Sequence, residues 1–170
     1  MNAPLELETK RLKLRQLRES DHDAHAAMMG DPEVVRFLGD GKPLDRPQAW
    51  RAMAGILGHW QLRGFGFWAL EDKTTGAFLG RAGLWQPEGW PMLEVGWTLA
   101  REAWGHGYAT EAGRAALDVA FANGASEVCS LILPANTRSI RVAERLGETL
   151  AGTTRVMTFD CLLYTVRVGR

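Results

Sequence analysis

Cysteine, net charge and long apolar runs are what this chain has least of. Its 170 residues contain two cysteines, Cys129 and Cys161. They lie far apart and form no C-x-x-C pair, so neither a zinc ribbon nor a disulfide scaffold is indicated. Cytosolic thiols are the simple reading, and a cytoplasmic location is the expectation. Twenty Lys plus Arg balance twenty Asp plus Glu to a net charge of zero. The basic excess of a dedicated nucleic-acid binder is missing, and no nucleic-acid partner is expected. No apolar stretch approaches the roughly 18 residues of a membrane span. Residues 1–8 have neither the basic nor the apolar region of a secretory signal, so no membrane association is expected. Repeats, low-complexity segments and linkers are lacking too. With 46% apolar residues, the composition is that of an ordinary globular protein, and one domain over residues 1–170 is expected.

Glycine and tryptophan are abundant, at 19 and 7 residues. The glycines cluster, which points to specific backbone geometry. Along the chain, Arg11–Leu17 alternates polar and apolar residues as a half-buried strand does. Ser20 is a candidate N-cap for a helix running to about Met29, and a short helix is expected at Glu33–Phe37. A helix over about Pro47–Leu62 follows, weakened by Gly55 and Gly58 and closed by Gly64. Phe65–Leu70, Phe78–Trp85 and Met92–Leu99 read as a meander of strands. Tyr108–Ala122 is a strong helix, with Ala109, Ala112, Gly113, Ala116, Leu117, Ala120 and Phe121 on one face. Val128–Leu133 reads as a buried strand and Thr137–Leu146 as a helix ended by Gly147. Two last strands fit Thr149–Thr153 and Met157–Val168. The order β-α-α-β-β-β-α-β-α-β-β defines one α+β or mixed α/β domain.

The segment that carries chemistry is Glu94-Val95-Gly96-Trp97-Thr98-Leu99 followed by Trp104-Gly105-His106-Gly107-Tyr108-Ala109-Thr110-Glu111-Ala112. A strand leads through a two-glycine loop into a helix. Such a loop exposes main-chain N–H groups, the helix dipole adds partial positive charge, and glycine lets an anion approach the backbone. A plain turn before an amphipathic helix has the same pattern. A dinucleotide fingerprint fits poorly: Thr110 stands where a third glycine or alanine belongs, and Glu127 precedes its strand instead of ending it. The four histidines show no metal-ligand spacing, and no metal is expected.

These residues resemble the acetyl-CoA-binding segment of the GNAT N-acetyltransferases, and within them the RimJ/RimL-type branch, which includes ribosomal-protein N-terminal acetyltransferases. The resemblance extends to Thr9-Lys10-Arg11-Leu12, Gly66-Phe67-Trp68-Ala69-Leu70, Gly80-Arg81-Ala82-Gly83-Leu84 and Asn136-Thr137-Arg138-Ser139 through Leu146-Gly147. It implies a mixed, mostly antiparallel central sheet of about six to seven strands with flanking helices. Strands four and five, Met92–Leu99 and Val128–Leu133, would run parallel and splay apart.

The resemblance also assigns roles. The pyrophosphate of acetyl-CoA would sit on Trp104, Gly105, His106, Gly107, Tyr108 and Ala109, with Thr110 next in the helix. The pantetheine arm would pair with Trp97, Thr98 and Leu99. Asn136 would hydrogen-bond that arm, and Ser139 would lie near the thiol and protonate the leaving thiolate. The acceptor would be a primary amine, on a small molecule or a protein N-terminus, attacking directly in a ternary complex. Glu94 is the candidate general base, with ordered water as the alternative. Tyr108 and Tyr164 are alternative acids. Arg138, Arg141 and Arg145 are either contacts for the 3′-phosphate or a solvated helix face. Trp90, in a Gly89–Pro91 turn, is a candidate contact for substrate or for a second copy of the chain in a homodimer. Glu148 stands where many relatives carry an aromatic. The reading of a different class is a non-catalytic acyl-CoA-binding or sensing module on the same scaffold.

Overall fold

Alternating and fully apolar segments assemble into one eight-stranded sheet in the computed structural model, which describes residues 1–169. In chain order the elements are β1 (Glu6–Glu8), β2 (Leu12–Arg15), α1 (His22–Met29), α2 (Pro32–Val35), α3 (Arg46–Arg63), β3 (Phe67–Asp72), β4 (Phe78–Trp85), β5 (Glu94–Leu99), α4 (Tyr108–Ala122), β6 (Glu127–Ile132), α5 (Thr137–Leu146), β7 (Thr149–Val156) and β8 (Phe159–Arg167). The strands lie in the order β1-β2-β3-β4-β5-β6-β8-β7, and β5–β6 is the parallel pair among antiparallel neighbours.

The sheet thus has eight strands, not six to seven. The addition is β1, too short to show a period in sequence, which pairs with β2 through Leu7 opposite Leu14. It also shifts the numbering: the parallel pair is the fifth and sixth strands, not the fourth and fifth. The segments are those expected, near residues 92–99 and 128–133.

Helix starts follow local chemistry. Asp45 and Gln48 cap each other's backbone at the head of α3, a reciprocal box that places the start just before Pro47. Gly64 ends α3 at φ 73°, where its Cβ would strike the Met1 carbonyl. Ser20 is not the cap of α1. Asp21 takes that place, but its carboxylate accepts from Arg15 at 2.7 and 2.8 Å and from the Arg18 N–H. Arg15 also donates to Glu71 at 2.7 Å. This buried network ties the approach to α1 onto β2 and β3.

Alternation divides the centre of the sheet into two faces. Leu70, Ala82, Leu84, Val95 and Leu99 share one face and a core cluster with Ala112, Ala116, Leu117 and Ala120 of α4. These small helix residues let α4 lie close to the strands. Leu84 is fully buried there, so truncation to alanine costs about 2–5 kcal/mol. Arg15, Ala69, Arg81, Gly83, Trp85, Glu94 and Gly96 occupy the other face. That face is covered by α1, which contacts β4, and by α3, whose His59 stacks on Trp85 at 4.2 Å.

Candidate active site

β5 and β6 touch at one bridge, Glu94 opposite Cys129, with the Cys129 N–H donating to Leu93 at 2.9 Å. Beyond it they diverge and open a cleft of about 1000 Å³. Hydrogen-bond phase determines what β5 offers this cleft. The Ala100 N–H donates to Leu79, toward β4, so the main chains of Thr98 and Gly96 also face β4. Those of Val95, Trp97 and Leu99 face the opening. The Val95 carbonyl accepts from Ser130 at 2.9 Å, and the Leu99 carbonyl from the Trp104 indole at 2.9 Å. The N–H and C=O of Trp97 and the N–H of Leu99 are left to pair with an extended, amide-bearing ligand. Thr98, expected beside them, also lines the cleft.

At the wide end stands the two-glycine loop. Gly105 and Gly107 have φ 81° and 80°, a region that side chains other than glycine rarely adopt. A Cβ at Gly105 would meet open space, so conformation and not crowding requires glycine there. Among the described residues, the main-chain N–H groups from Gly105 through Thr110 have no protein acceptor. This run of free donors at the start of the fifteen-residue α4 fits a diphosphate. His106 is exposed on the loop.

The loop is braced from a distance. Arg11 donates to the His106 carbonyl at 2.9 Å and to Glu111 at 2.7 Å, and its guanidinium lies 4.5 Å over the Tyr108 ring. Thr9 Oγ1 donates to Glu111 at 2.6 Å. The carboxylate in the first turn of α4 is therefore tied back and neutralised where it would repel an anion. The Tyr108 hydroxyl donates to Asp72 at 3.3 Å. That hydroxyl is turned to the β3–β4 hairpin, while Tyr108 also lines the cleft. Tyr164 is buried on β8 and does not line the cleft.

Glu94 sits at the apex. Its Oε2 accepts from the Trp90 indole at 2.6 Å. Burial raises the Glu94 pKa to about 7, against the pull of the Trp90 N–H, the Leu131 amide and the Arg81 charge. Trp90, expected as an outward contact, thus turns its polar edge to the candidate base. Behind the apex, Ser130 Oγ lies 2.9 Å from the Val95 carbonyl and 3.0 Å from Glu148. A hydroxyl has one proton, and both neighbours are acceptors when Glu148 is ionised. Both contacts are satisfied when Glu148 is protonated and donates to Ser130, which donates to Val95. Burial pushes the Glu148 carboxyl up to about 8, and the Glu94 charge adds to it while Ser130 opposes it.

Asn136 caps α5: its side-chain oxygen accepts from the Ser139 N–H at 3.2 Å, which leaves its amide NH₂ for a ligand. Asn136 and Ser139 both line the cleft. Arg138, Arg141 and Arg145 line it too, and the Arg138 guanidinium lies 3.9 Å over the Trp104 ring. Glu94, the β5 edge, the loop amides, Asn136 and Ser139 are therefore brought to one opening. Sequence reasoning missed the Arg11–Glu111 brace, the Trp90–Glu94 bond, the Ser130–Glu148 pair and Arg81. The local signal for the second was Trp90 four residues before Glu94.

A splayed parallel pair beside a helix that opens on free amides defines an acyl-CoA-dependent acyltransferase. Residues 11–149 match the family model of the acetyltransferase (GNAT) domain. The chain belongs to the GNAT family and is an acetyl-CoA-dependent acetyltransferase. It is 35% identical over 164 residues to the uncharacterized protein YkkB of Bacillus subtilis, covering 91% of each chain. It is 30% identical over 146 residues to the uncharacterized N-acetyltransferase p20 of Bacillus licheniformis, covering 83% of this chain and 80% of that one. The crystal structure of an acetyltransferase from Agrobacterium tumefaciens superposes with a TM-score of 0.86 at 32% identity, covering 98% and 96%. RimL, a ribosomal L7/L12 α-N-protein acetyltransferase in complex with coenzyme A, shares the fold at a TM-score of 0.79 and 16% identity. The expected RimJ/RimL branch rests there on fold alone.

Proposed function

We propose that this acetyltransferase acts on a primary amine, of a small molecule or a protein N-terminus, with Glu94 as general base. The observation that carries the reading is the half-buried Glu94 carboxyl, its pKa raised, at the apex of the same cleft that exposes the amides of Gly105 to Thr110. Acetyl-CoA supplies an activated acetyl thioester. The amides of Gly105, Gly107, Tyr108 and Ala109 hold its diphosphate, with Trp104, His106 and Thr110 shaping the loop around it. The Trp97 main chain, flanked by Thr98 and Leu99, orders the pantetheine arm, and the Asn136 NH₂ adds a bond. The free N–H groups of β5 stabilise negative charge developing on the carbonyl oxygen. Glu94 removes the proton from the ammonium, directly or through water, and a pKa near 7 suits that task at neutral pH. Ser139 protonates the departing thiolate.

The motifs at Gly80–Leu84 and Asn136–Gly147 support the RimJ/RimL-type branch. The test is thiol release from acetyl-CoA over an acceptor panel, with Glu94→Gln and Ser139→Ala as controls. Release should depend on the amine and fall by about 10²–10⁴ in Glu94→Gln. Acetyl-CoA at 100 times its Kd should still stabilise that variant by about 2.7 kcal/mol. Binding without release on any amine would return the protein to the sensing class.

A further inference from the structure

The acceptor-side face of the sheet carries a charge that the protein does not neutralise. Arg81 is half-buried on β4, opposite Thr98 of β5. Among the described residues it forms no ion pair and no hydrogen bond. Its Nε is sealed from solvent without a partner. The two terminal nitrogens are equally unpartnered but keep contact with solvent. Among the described residues, the other arginines that lack an ion pair or hydrogen bond are all exposed. Burial lowers the Arg81 pKa only to about 10, so the group remains a cation at neutral pH.

Its neighbours do not compensate. His25 of α1 is fully buried with both ring nitrogens unpartnered, and burial and the Arg81 charge push its pKa to about 4. It is neutral and supplies no counter-charge. Asp21 and Glu71 on the same side are taken by Arg15. Glu94 feels the Arg81 charge but forms no ion pair with it. A guanidinium partly withdrawn from water with no anion beside it is costly.

The same face fixes where the guanidinium points. Arg81 Cζ lies 4.5 Å over the Phe67 ring. Phe67 stacks on Trp85 at 5.0 Å and 16°, and Trp85 on His59 at 4.2 Å and 21°. Trp85 lies opposite Glu94, and the Gly83–Gly96 pair separates it from the Arg81–Thr98 pair. The cation and the base therefore flank one aromatic surface from its two ends.

We propose that Arg81 binds an anionic group of the acceptor, and that the acceptor is a small primary amine carrying a carboxylate. The inference rests on the acyl-transfer reading and deepens it. The ammonium of such a zwitterion meets Glu94, and its carboxylate meets the planar guanidinium, which suits a two-oxygen anion. A protein N-terminus has an amide where a free amino acid has this carboxylate, so Arg81 separates the two acceptor classes.

The test uses the full chain with saturating acetyl-CoA. The panel holds the proteinogenic amino acids, β-alanine and γ-aminobutyrate, each beside its carboxamide, together with polyamines, aminoglycosides and short peptides. Carboxylate acceptors should exceed their carboxamides in kcat/KM by at least about 30-fold. Arg81→Met should abolish that preference by slowing the carboxylates, leaving the carboxamides within about threefold, and Arg81→Lys should keep part of it. Without ligand, Arg81→Met should melt at or above the parent temperature, because an unneutralised charge has been removed. Its stabilisation by acetyl-CoA should be unchanged. Equal turnover of carboxamides, turnover confined to polyamines, aminoglycosides or peptides, or a carboxylate preference that survives Arg81→Met overturns the role of Arg81 alone. So does an Arg81→Met variant with a lowered Tm. Acetyl-CoA binding with no turnover on any amine overturns the acyl-transfer reading, and this inference with it.

Discussion

The two ends of the cleft are built on different principles. The end where we propose that the diphosphate binds presents main-chain N–H groups from Gly105 to Thr110, contiguous in sequence, with positive φ at two glycines. The other end, where we propose that the acceptor binds, depends on side chains: Glu94 of β5, Trp90 of the loop before it, and, on the same face of the sheet, Arg81 of β4 over Phe67 of β3. A ligand common to a family can be held by backbone, which any sequence supplies once the glycines are in place. A ligand that differs between relatives must be recognised by side chains, which the sheet assembles from distant segments. The first end is fixed by a short motif and the second by register.

That contrast can be broken or sharpened by substitution. The largest expected effect is at the acceptor end: Glu94→Gln should lower kcat by about 10²–10⁴ with little change in coenzyme affinity. In the parent, Glu94 must be ionised to act, so activity should fall as pH drops through about 7. That limb should vanish in the variant. The next effect is at the phosphate end. Gly107→Val forces a β-branched residue to φ 80°, so coenzyme Kd should rise about tenfold or more in a titration. The ranking of acceptors should stay as it was.

Smaller effects come from the supports. Glu148 has a folded pKa near 8, above its unfolded value. Its contribution to stability is complete below the unfolded pKa of about 4.3 and is lost as pH rises through about 8. Glu148→Gln keeps a donor toward Ser130 and removes that loss. The variant should melt about 5 °C or more above the parent at pH 8.5, and the gap should close toward pH 4. The smallest shift is expected from Trp90→Phe. It removes a donor that holds the Glu94 pKa down, so the acidic limb of the rate profile should move up by about one pH unit.

Much of this fold was legible because periodicity is local. α4 carries its small apolar face in full view and spans the expected residues. β4 was also read within its true bounds. The errors arose where a partner elsewhere decides. β1 exists because β2 offers an edge, and Ser20 lost the cap because Arg15 holds Asp21 beside it. The conformation of the two-glycine loop was legible because glycine spacing encodes it. Glu94 was singled out by its place on the strand before the loop and lines the cleft, whereas its partner Trp90 was expected to face outward. Arg81, Arg11 and Glu148 could not be given roles from sequence. Each contacts residues more than ten positions away, and a single chain contains no record of strand register.

The bridge between Glu94 and Cys129 is where two diverging strands meet. A pair of arms that part from a common point moves most at its tips and not at all at its fulcrum. The carboxylate that we propose as the base is therefore carried at the fulcrum and not on a free arm.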